Sequence, residues 1–248
     1  ILDPANILGF PLGNGIFTSP GGVEAVTYVK VNVSDDPDPL YPDIELLMVG
    51  GYMGSDFGLV FRKMFNIPAS LFNALYLPLI GKNVYQVTPV LLHPKSFGSI
   101  QINSSSPFDP PLFYANYFSD PRDIKIFIAG IREFQRINKA PSLQRVGATL
   151  VSTPIPGCEH ETFDSDAYWE CALRTIIGSY YHQTATCKMG PPGDAEAVVD
   201  HELRVYGIKK LRVVDTSVIP LPPSSHNMAP AYVIGEKAAD LIKETWKL

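Results

Sequence analysis

Apolar residues along the chain follow two different periods, and each period predicts a different kind of element. Residues 23–31 form an apolar run, and residues 84–92 and 98–102 alternate between apolar and polar, so each range predicts a strand. A turn at His93-Pro94 separates the last two ranges, which we expect to pair as antiparallel neighbours. Residues 197–200 and 211–215 are shorter β-like runs.

Four ranges predict helices: 56–79, where the spacing of apolar residues is mixed, and 124–137, 164–177 and 228–246. The first range predicts two short helices separated near Pro68. The third predicts a helix that is N-capped at Asp164 or Ser165, and the fourth predicts a helix that ends the chain. The chain therefore mixes strands and helices.

Composition and charge exclude several classes of protein. The 248 residues are 46% hydrophobic and 18% charged, which is typical of a folded domain. A net charge of -5 with scattered Lys and Arg argues against nucleic-acid binding. No apolar stretch reaches the length of a bilayer, so we expect no membrane span. The sequence opens on Ile1 without an initiator Met, and we expect it to continue a longer protein.

Three cysteines lack the C-x-x-C spacing of redox or zinc motifs, and the simplest interpretation is that each is a buried thiol. A bridge between Cys158 and Cys171 is the alternative, in an oxidising compartment, and the sequons at Asn32 and Asn103 point the same way. A zinc site would combine Cys158, His160, Cys171 and His182, but the spacing of these residues matches no recurring zinc motif.

Five histidines are the first candidates for chemistry. His93 lies between a strand and a Pro turn and is expected to be structural. His160 and His201 occupy polar stretches that we expect to be exposed. Neither H-E-x-x-H nor G-x-S-x-G occurs, which excludes a metalloprotease of that type and a hydrolase with a nucleophile elbow. By spacing alone His182 and His226 are more often structural than catalytic, and both interpretations stay open.

Ordered motifs in the last third of the chain resemble the C-terminal signature of glucose-methanol-choline (GMC) oxidoreductases. The matching segments are 181–191, 197–200, 203–205, 207–208, 211–215 and 235–242. Earlier segments also resemble this family, namely 21–29, 89–102, 116–121 and 169–171. The pattern is most similar to the insect branch with glucose dehydrogenase-like and ecdysone oxidase-like proteins.

The resemblance implies an α+β fold with an antiparallel sheet and helices, plus a C-terminal segment that returns into an FAD-binding α/β domain. Residues 1–30 would end the FAD-domain region, residues 31–187 would form the substrate-binding domain, and residues 188–248 would form the return. The implied cofactor is FAD. The implied partners are an alcohol substrate, such as a sugar or steroid, and oxygen or a quinone as electron acceptor.

Residue roles follow from the same resemblance. His182 matches the histidine that faces flavin N5, where imidazole suits removal of an alcohol proton, and His226 matches the second group beside it. Asp215 and Thr216 match a contact with the FAD chain. Asn227 and Met228 match the helix start whose N–H groups stabilise negative charge on the flavin.

Departures from the family pattern bear on specificity and cofactor binding. Gln183 and Ala185 stand where insect relatives usually have Pro and Gly, and Ser225-His-Asn-Met228 replaces the commoner Gly-Asn-Thr-Asn. No G-x-G-x-x-G is present: Gly13-Asn-Gly15 begins like one, but Thr18 occupies the third glycine position. We therefore expect an N-terminal FAD-binding half to be supplied from outside this sequence.

Two alternatives to a flavoenzyme remain at this point: a non-enzymatic secreted relative that lost flavin binding, and the zinc-site protein. Both His182 and His226 argue against the first, because a protein released from catalysis has no chemical need for them. Family resemblance and the two sequons together suggest secretion.

Overall fold

The computed structural model describes residues 4–14 and 22–248. These residues form two compact units, each assembled from separate stretches of chain. The first unit contains the described residues up to Leu91 together with Asp120–Gly178, and the second contains Leu92–Ser119 and Ser179–Leu248. The boundaries predicted at residues 30 and 187 concern a complete flavoenzyme and stay a prediction, as do the expectations that fall on residues 15–21.

Helices and strands are mixed along the chain. The helices are α1 (Pro4–Gly9), α2 (Phe61–Met64), α3 (Ala69–Leu75), α4 (Pro121–Asn138), α5 (Pro141–Gln144), α6 (Asp166–Ile176) and α7 (Met228–Trp246). Short 3-10 helices cover Phe10–Leu12, Leu77–Leu79 and Thr216–Val218. The strands are β1 (Val23–Val29), β2 (Ile44–Val49), β3 (Gln86–Leu91), β4 (Ser99–Gln101) and β5 (Leu112–Tyr114). The α+β class and all four helical ranges are confirmed.

The first unit is built on a three-stranded antiparallel sheet in the order β1-β2-β3. Its central strand β2 was not predicted, because four consecutive residues are buried and the apolar pattern does not alternate. Helix α4 packs on β2 and β3. A Cβ on Gly130 would lie 3.0 Å from both γ carbons of the fully buried Ile44, so glycine lets the helix approach the sheet.

Side-chain caps explain where the two long helices of this unit begin. Asp120 accepts a hydrogen bond from the Arg122 N–H, with Pro121 at the first helical position. Ser165 accepts one from the Tyr168 N–H, so the predicted cap at Asp164 or Ser165 lies at Ser165. Both side chains satisfy N–H groups that the first helical turn leaves unpaired.

A disulfide joins Cys158 and Cys171, with their Cα atoms 5.8 Å apart. Of the two interpretations of these cysteines, the structure therefore supports the bridge. Cys158 is fully buried and packs with Ile155, Tyr168 and Ala172. The bridge thus links the loop before α6 to the helix itself.

The second unit contains the hairpin of β4 and β5. The predicted pairing of residues 84–92 with 98–102 is wrong, because β3 pairs with β2, and β4 pairs with β5. Gly98 makes this possible, since a Cβ at that position would overlap the carbonyl oxygen of Tyr114. The close approach of β5 therefore requires glycine just before β4.

The core of the second unit consists of the buried residues Val199, Leu203, Val218 and Ala238. The predicted short β-like runs contribute isolated bridges rather than strands, among them Val199 with Val205 and Arg204 with Arg212. Helix α7 has the bounds that its periodicity predicts. Within residues 4–14 and 22–248, no helix is both long and apolar enough to cross a bilayer.

Candidate active site

His182 lies in an irregular segment after α6, held by Ser179. The Ser179 Oγ accepts hydrogen bonds from the Tyr181 N–H at 2.9 Å and from Nε2 of Gln183 at 3.0 Å. Tyr181 and Ala185 have φ values of 60° and 65°, which non-glycine residues adopt at a cost. The backbone around His182 is thus strained and tied to one serine.

His226 lies two residues before α7, at the end of a segment without helix or strand, residues 219–227. Three prolines in this segment, Pro220, Pro222 and Pro223, have no N–H to donate. A side-chain bond contributes instead: Nε2 of His93 lies 2.8 Å from Oγ of Ser224. His93, expected to be structural, therefore contacts the segment that carries His226.

The two candidate catalytic residues meet. Nε2 of His182 lies 2.6 Å from Nδ1 of His226, the ring centroids are 4.7 Å apart, and the ring planes are perpendicular at 87°. Such a hydrogen bond requires one nitrogen to carry the proton and the other to accept it. His182 is half-buried and His226 is exposed. The pair can therefore hold a proton between two defined atoms at a position open to a small molecule.

Asp215 and Thr216, the candidate contacts to the FAD chain, begin a short 3-10 helix. Oδ1 of Asp215 accepts a hydrogen bond from the Ser217 N–H at 2.8 Å and so caps that helix. Asp215 thus pairs with an N–H group of the turn that it begins, and its contact with FAD stays a prediction. Ser217, which the sequence did not single out, has a buried Oγ without a hydrogen-bond partner among the described residues.

Asn227 and Met228 form the start of α7. Asn227 is 8% exposed, and within the described part of the chain neither polar atom of its side chain has a hydrogen-bond partner. Its side chain does not cap the helix, and the first turn holds no acidic residue. Met228 is 73% exposed. The helix start therefore retains its partial positive charge and an unsatisfied amide.

The zinc alternative loses its sulfur ligands, because Cys158 and Cys171 are bonded to each other. Across residues 4–14 and 22–248, no group of three or more His, Cys, Asp or Glu is arranged to hold a metal ion. His160 and His201 are 67% and 84% exposed, as expected, and lie near Glu161 and Glu202. Neither of these two histidines belongs to the predicted catalytic pair.

Sequence reasoning missed three serines: Ser179 and Ser224, which contact the segments that carry the pair, and Ser217, which lies in the 3-10 helix that Asp215 caps. Only Ser224 carried a signal, because it precedes His226 by two residues. Ser179 is notable for its hydrogen bonds and Ser217 for its burial, and the position of a serine in the sequence reveals neither property.

Comparison with known proteins agrees with the resemblance. The family model of GMC oxidoreductases matches residues 94–235, a range that contains all six predicted site residues. A Drosophila pseudoobscura protein named glucose dehydrogenase [FAD, quinone] is 38% identical over 94% of this chain and 35% of its own length. Ecdysone oxidase from Bombyx mori is 36% identical over 65% of this chain and 23% of its own length.

Solved structures show the same relationship. The chain matches a formate oxidase of Aspergillus oryzae RIB40 with a TM-score of 0.72 and 26% identity, over 98% of this chain and 42% of that one. It thus spans well under half the length of the relatives it matches. With the family model covering more than half of its residues, the chain belongs to the GMC oxidoreductase family.

Proposed function

We propose that this chain supplies the catalytic histidine pair of an FAD-dependent oxidoreductase that acts on the CH–OH group of an alcohol. The observation that carries the proposal is the 2.6 Å contact between Nε2 of His182 and Nδ1 of His226. Two imidazoles that converge on one point can accept a proton and orient an oxygen at neutral pH. Oxidation of an alcohol needs both functions, since one group must accept the hydroxyl proton and another must orient the oxygen.

The residues at the start of α7 fit a flavin. The buried amide of Asn227 lacks a partner among the described residues, and the helix start carries partial positive charge. Both suit the electron-rich edge of an isoalloxazine ring. Asn227, Met228, Asp215 and Thr216 would hold FAD. When bound, FAD supplies the two-electron oxidant that takes the hydride from the alcohol carbon, which leaves a carbonyl.

His182 acts as the base and His226 as the orienting group. The hydroxyl proton passes to Nε2 of His182, while Nδ1 of His226 holds the alcohol oxygen so that the carbon keeps one orientation. At a separation of 2.6 Å no oxygen fits between the two nitrogens. Substrate binding must therefore replace the hydrogen bond between the rings, and the two rings must move apart by about one hydrogen-bond length.

Substrate and acceptor belong to the classes that the resemblance implies. We infer a sugar, steroid or other alcohol as donor and oxygen or a quinone as acceptor. The names of two relatives, a glucose dehydrogenase [FAD, quinone] and an ecdysone oxidase, support these classes. We further propose that an N-terminal half beyond this sequence supplies the pyrophosphate-binding loop, since no G-x-G-x-x-G occurs here.

The test measures anaerobic bleaching of the flavin by alcohols in the full-length protein. His182→Ala should slow bleaching by a factor of about 100 to 10,000, the usual contribution of a general base. His201→Ala, which changes an exposed histidine in the same unit, should leave the rate unchanged. Full bleaching by His182→Ala would remove His182 as the base. A full-length protein that holds no flavin would instead favour the non-enzymatic relative.

We also infer that the protein is secreted. The bridge between Cys158 and Cys171 supports an oxidising compartment, and the sequon residues Asn32 and Asn103 are both exposed. Treatment of the native protein with an N-glycosidase should lower its apparent mass. No change in mass, together with free thiols at both cysteines, would argue for a reducing compartment.

A further inference from the structure

The segment that carries His226 is poorly suited to hold itself in place. Residues 219–227 form no helix or strand, and three of the nine are prolines. Proline fixes its own φ but cannot donate a hydrogen bond to the rest of the fold. The 2.6 Å contact between His226 and His182 nevertheless requires that the segment be positioned to a fraction of an ångström.

His93 provides a contact of the required kind. Its Nε2 lies 2.8 Å from Oγ of Ser224, across 131 residues of sequence. Leu92 before it is 5% exposed, and Pro94 after it restricts the backbone, so the imidazole projects from an anchored position. Ser224 is half-buried and lies two residues before His226. The hydrogen bond thus contacts the segment only two residues before His226.

We propose that His93 is a positioning residue for the histidine pair. Through Ser224 it holds the 219–227 segment, and thereby the position in which Nδ1 of His226 meets Nε2 of His182 before substrate binds. This inference rests on the proposed function in one respect only, that the pair performs the chemistry. The hydrogen bond lies wholly within the second unit and joins His93 to Ser224, neither of which belongs to the pair.

The test is a mutant cycle in the full-length flavoprotein. His93→Phe keeps a ring but loses the hydrogen bond, and Ser224→Ala removes the other partner. Each should slow flavin reduction about tenfold, and the double variant should be no slower than either single variant, because both remove one bond. His93→Gln, whose amide reaches the place of Nε2, should restore the rate to within about threefold of wild type. His201→Gln is the matched control on an exposed histidine.

A second readout does not depend on turnover. With isotope-labelled histidine, the ring signals of His182 and His226 in the substrate-free protein should shift in His93→Phe and Ser224→Ala and return in His93→Gln. Unchanged ring signals and rates in His93→Phe, while His182→Ala loses activity, would overturn the positioning role and leave the proposed function standing. If His182→Ala keeps full activity but His93→Phe shifts the His226 signals, the proposed function fails and the positioning contact holds.

Discussion

Tyr181 and Ala185 flank His182 and share a left-handed backbone, with φ values of 60° and 65°. Glycine adopts this conformation freely, whereas a residue with a Cβ adopts it at a cost of about 1 to 2 kcal/mol. The resemblance to the insect branch implies glycine at this position, where Ala185 stands instead. Strain of this kind concentrates at functional sites, where the surrounding contacts enforce it.

We therefore predict that Ala185→Gly stabilises the protein. Relief of the left-handed cost exceeds the extra entropy of glycine in the unfolded chain, which leaves a gain of about 0.5 to 1 kcal/mol. Urea unfolding measures this change. Ala195→Gly is the control, because Ala195 is exposed and has no positive φ, so that variant should lose stability. A loss of stability in Ala185→Gly as well would contradict the argument.

Asp164 gathers three donors on one oxygen and gives a pH-dependent prediction. Burial raises its pKa, but hydrogen bonds from Gln135, Trp169 and Arg132 outweigh that effect and lower the pKa below the ordinary 3.8. Because the folded pKa is the lower one, this stabilisation is complete above 3.8 and disappears as the pH falls through the folded value.

Asp164→Asn should therefore cost about 1 kcal/mol at neutral pH, an amount discounted for the partial exposure of the carboxylate. Asparagine tolerates the left-handed φ of 66° at this position, so charge is the main change. The difference from wild type should shrink as urea unfolding is repeated at pH values below 3.8. Asp166→Asn, which removes a 74% exposed partner of Arg132, should have a smaller effect. Equal effects at all pH values would be evidence against a role of the charge.

The disulfide predicts a loss of stability on reduction. Cys158 and Cys171 are 13 residues apart, and closing a loop of this size stabilises a protein by about 3 kcal/mol. Cys158→Ala combined with Cys171→Ala should lower the free energy of unfolding by a similar amount. Cys187→Ala is the control, since Cys187 is unbridged. A stability that stays the same with and without reductant would show that the bridge does not form in the native protein.

Gly130 offers a test of how tightly α4 packs on β2. Gly130→Ala would place a methyl group 3.0 Å from two carbons of Ile44, which is fully buried. Overpacking should cost about 1 to 3 kcal/mol, more than the helical preference for alanine returns. Combining Gly130→Ala with Ile44→Val should recover part of the loss in thermal unfolding. An unchanged melting temperature in Gly130→Ala would mean that the helix and sheet separate easily.

Local signals predicted the helices well and the strand pairing poorly. α7 has a clear 3.6-residue period over its whole length, and its predicted bounds match those observed. Strand β2 has no period, because both of its faces are buried and Glu45 lies within it. β3 pairs with this distant strand rather than with its neighbour β4. Pairing between residues as distant as Ile44 and Leu91 depends on packing that local patterns do not contain.

The site was predicted from resemblance and completed by geometry. His182 and His226 are 44 residues apart, and neither spacing nor period shows that they touch. Both residues were predicted because their segments resemble motifs of the family. The bond between His93 and Ser224 spans 131 residues and matches no motif, so only the three-dimensional contact reveals it.

The interleaving of the two units has a consequence for biosynthesis. Residues 92–119 leave the ribosome before the roughly 60 residues of 120–178, yet they belong with residues 179–248. At about 5 to 20 residues per second, the first stretch waits roughly 3 to 12 seconds for its partner. Throughout that interval Leu92 and Phe118, which are buried in the folded protein, lack the later part of their own unit. We therefore expect chaperones to bind the nascent chain during this interval. A ribosome that stalls before residue 179 has synthesised neither His182 nor His226.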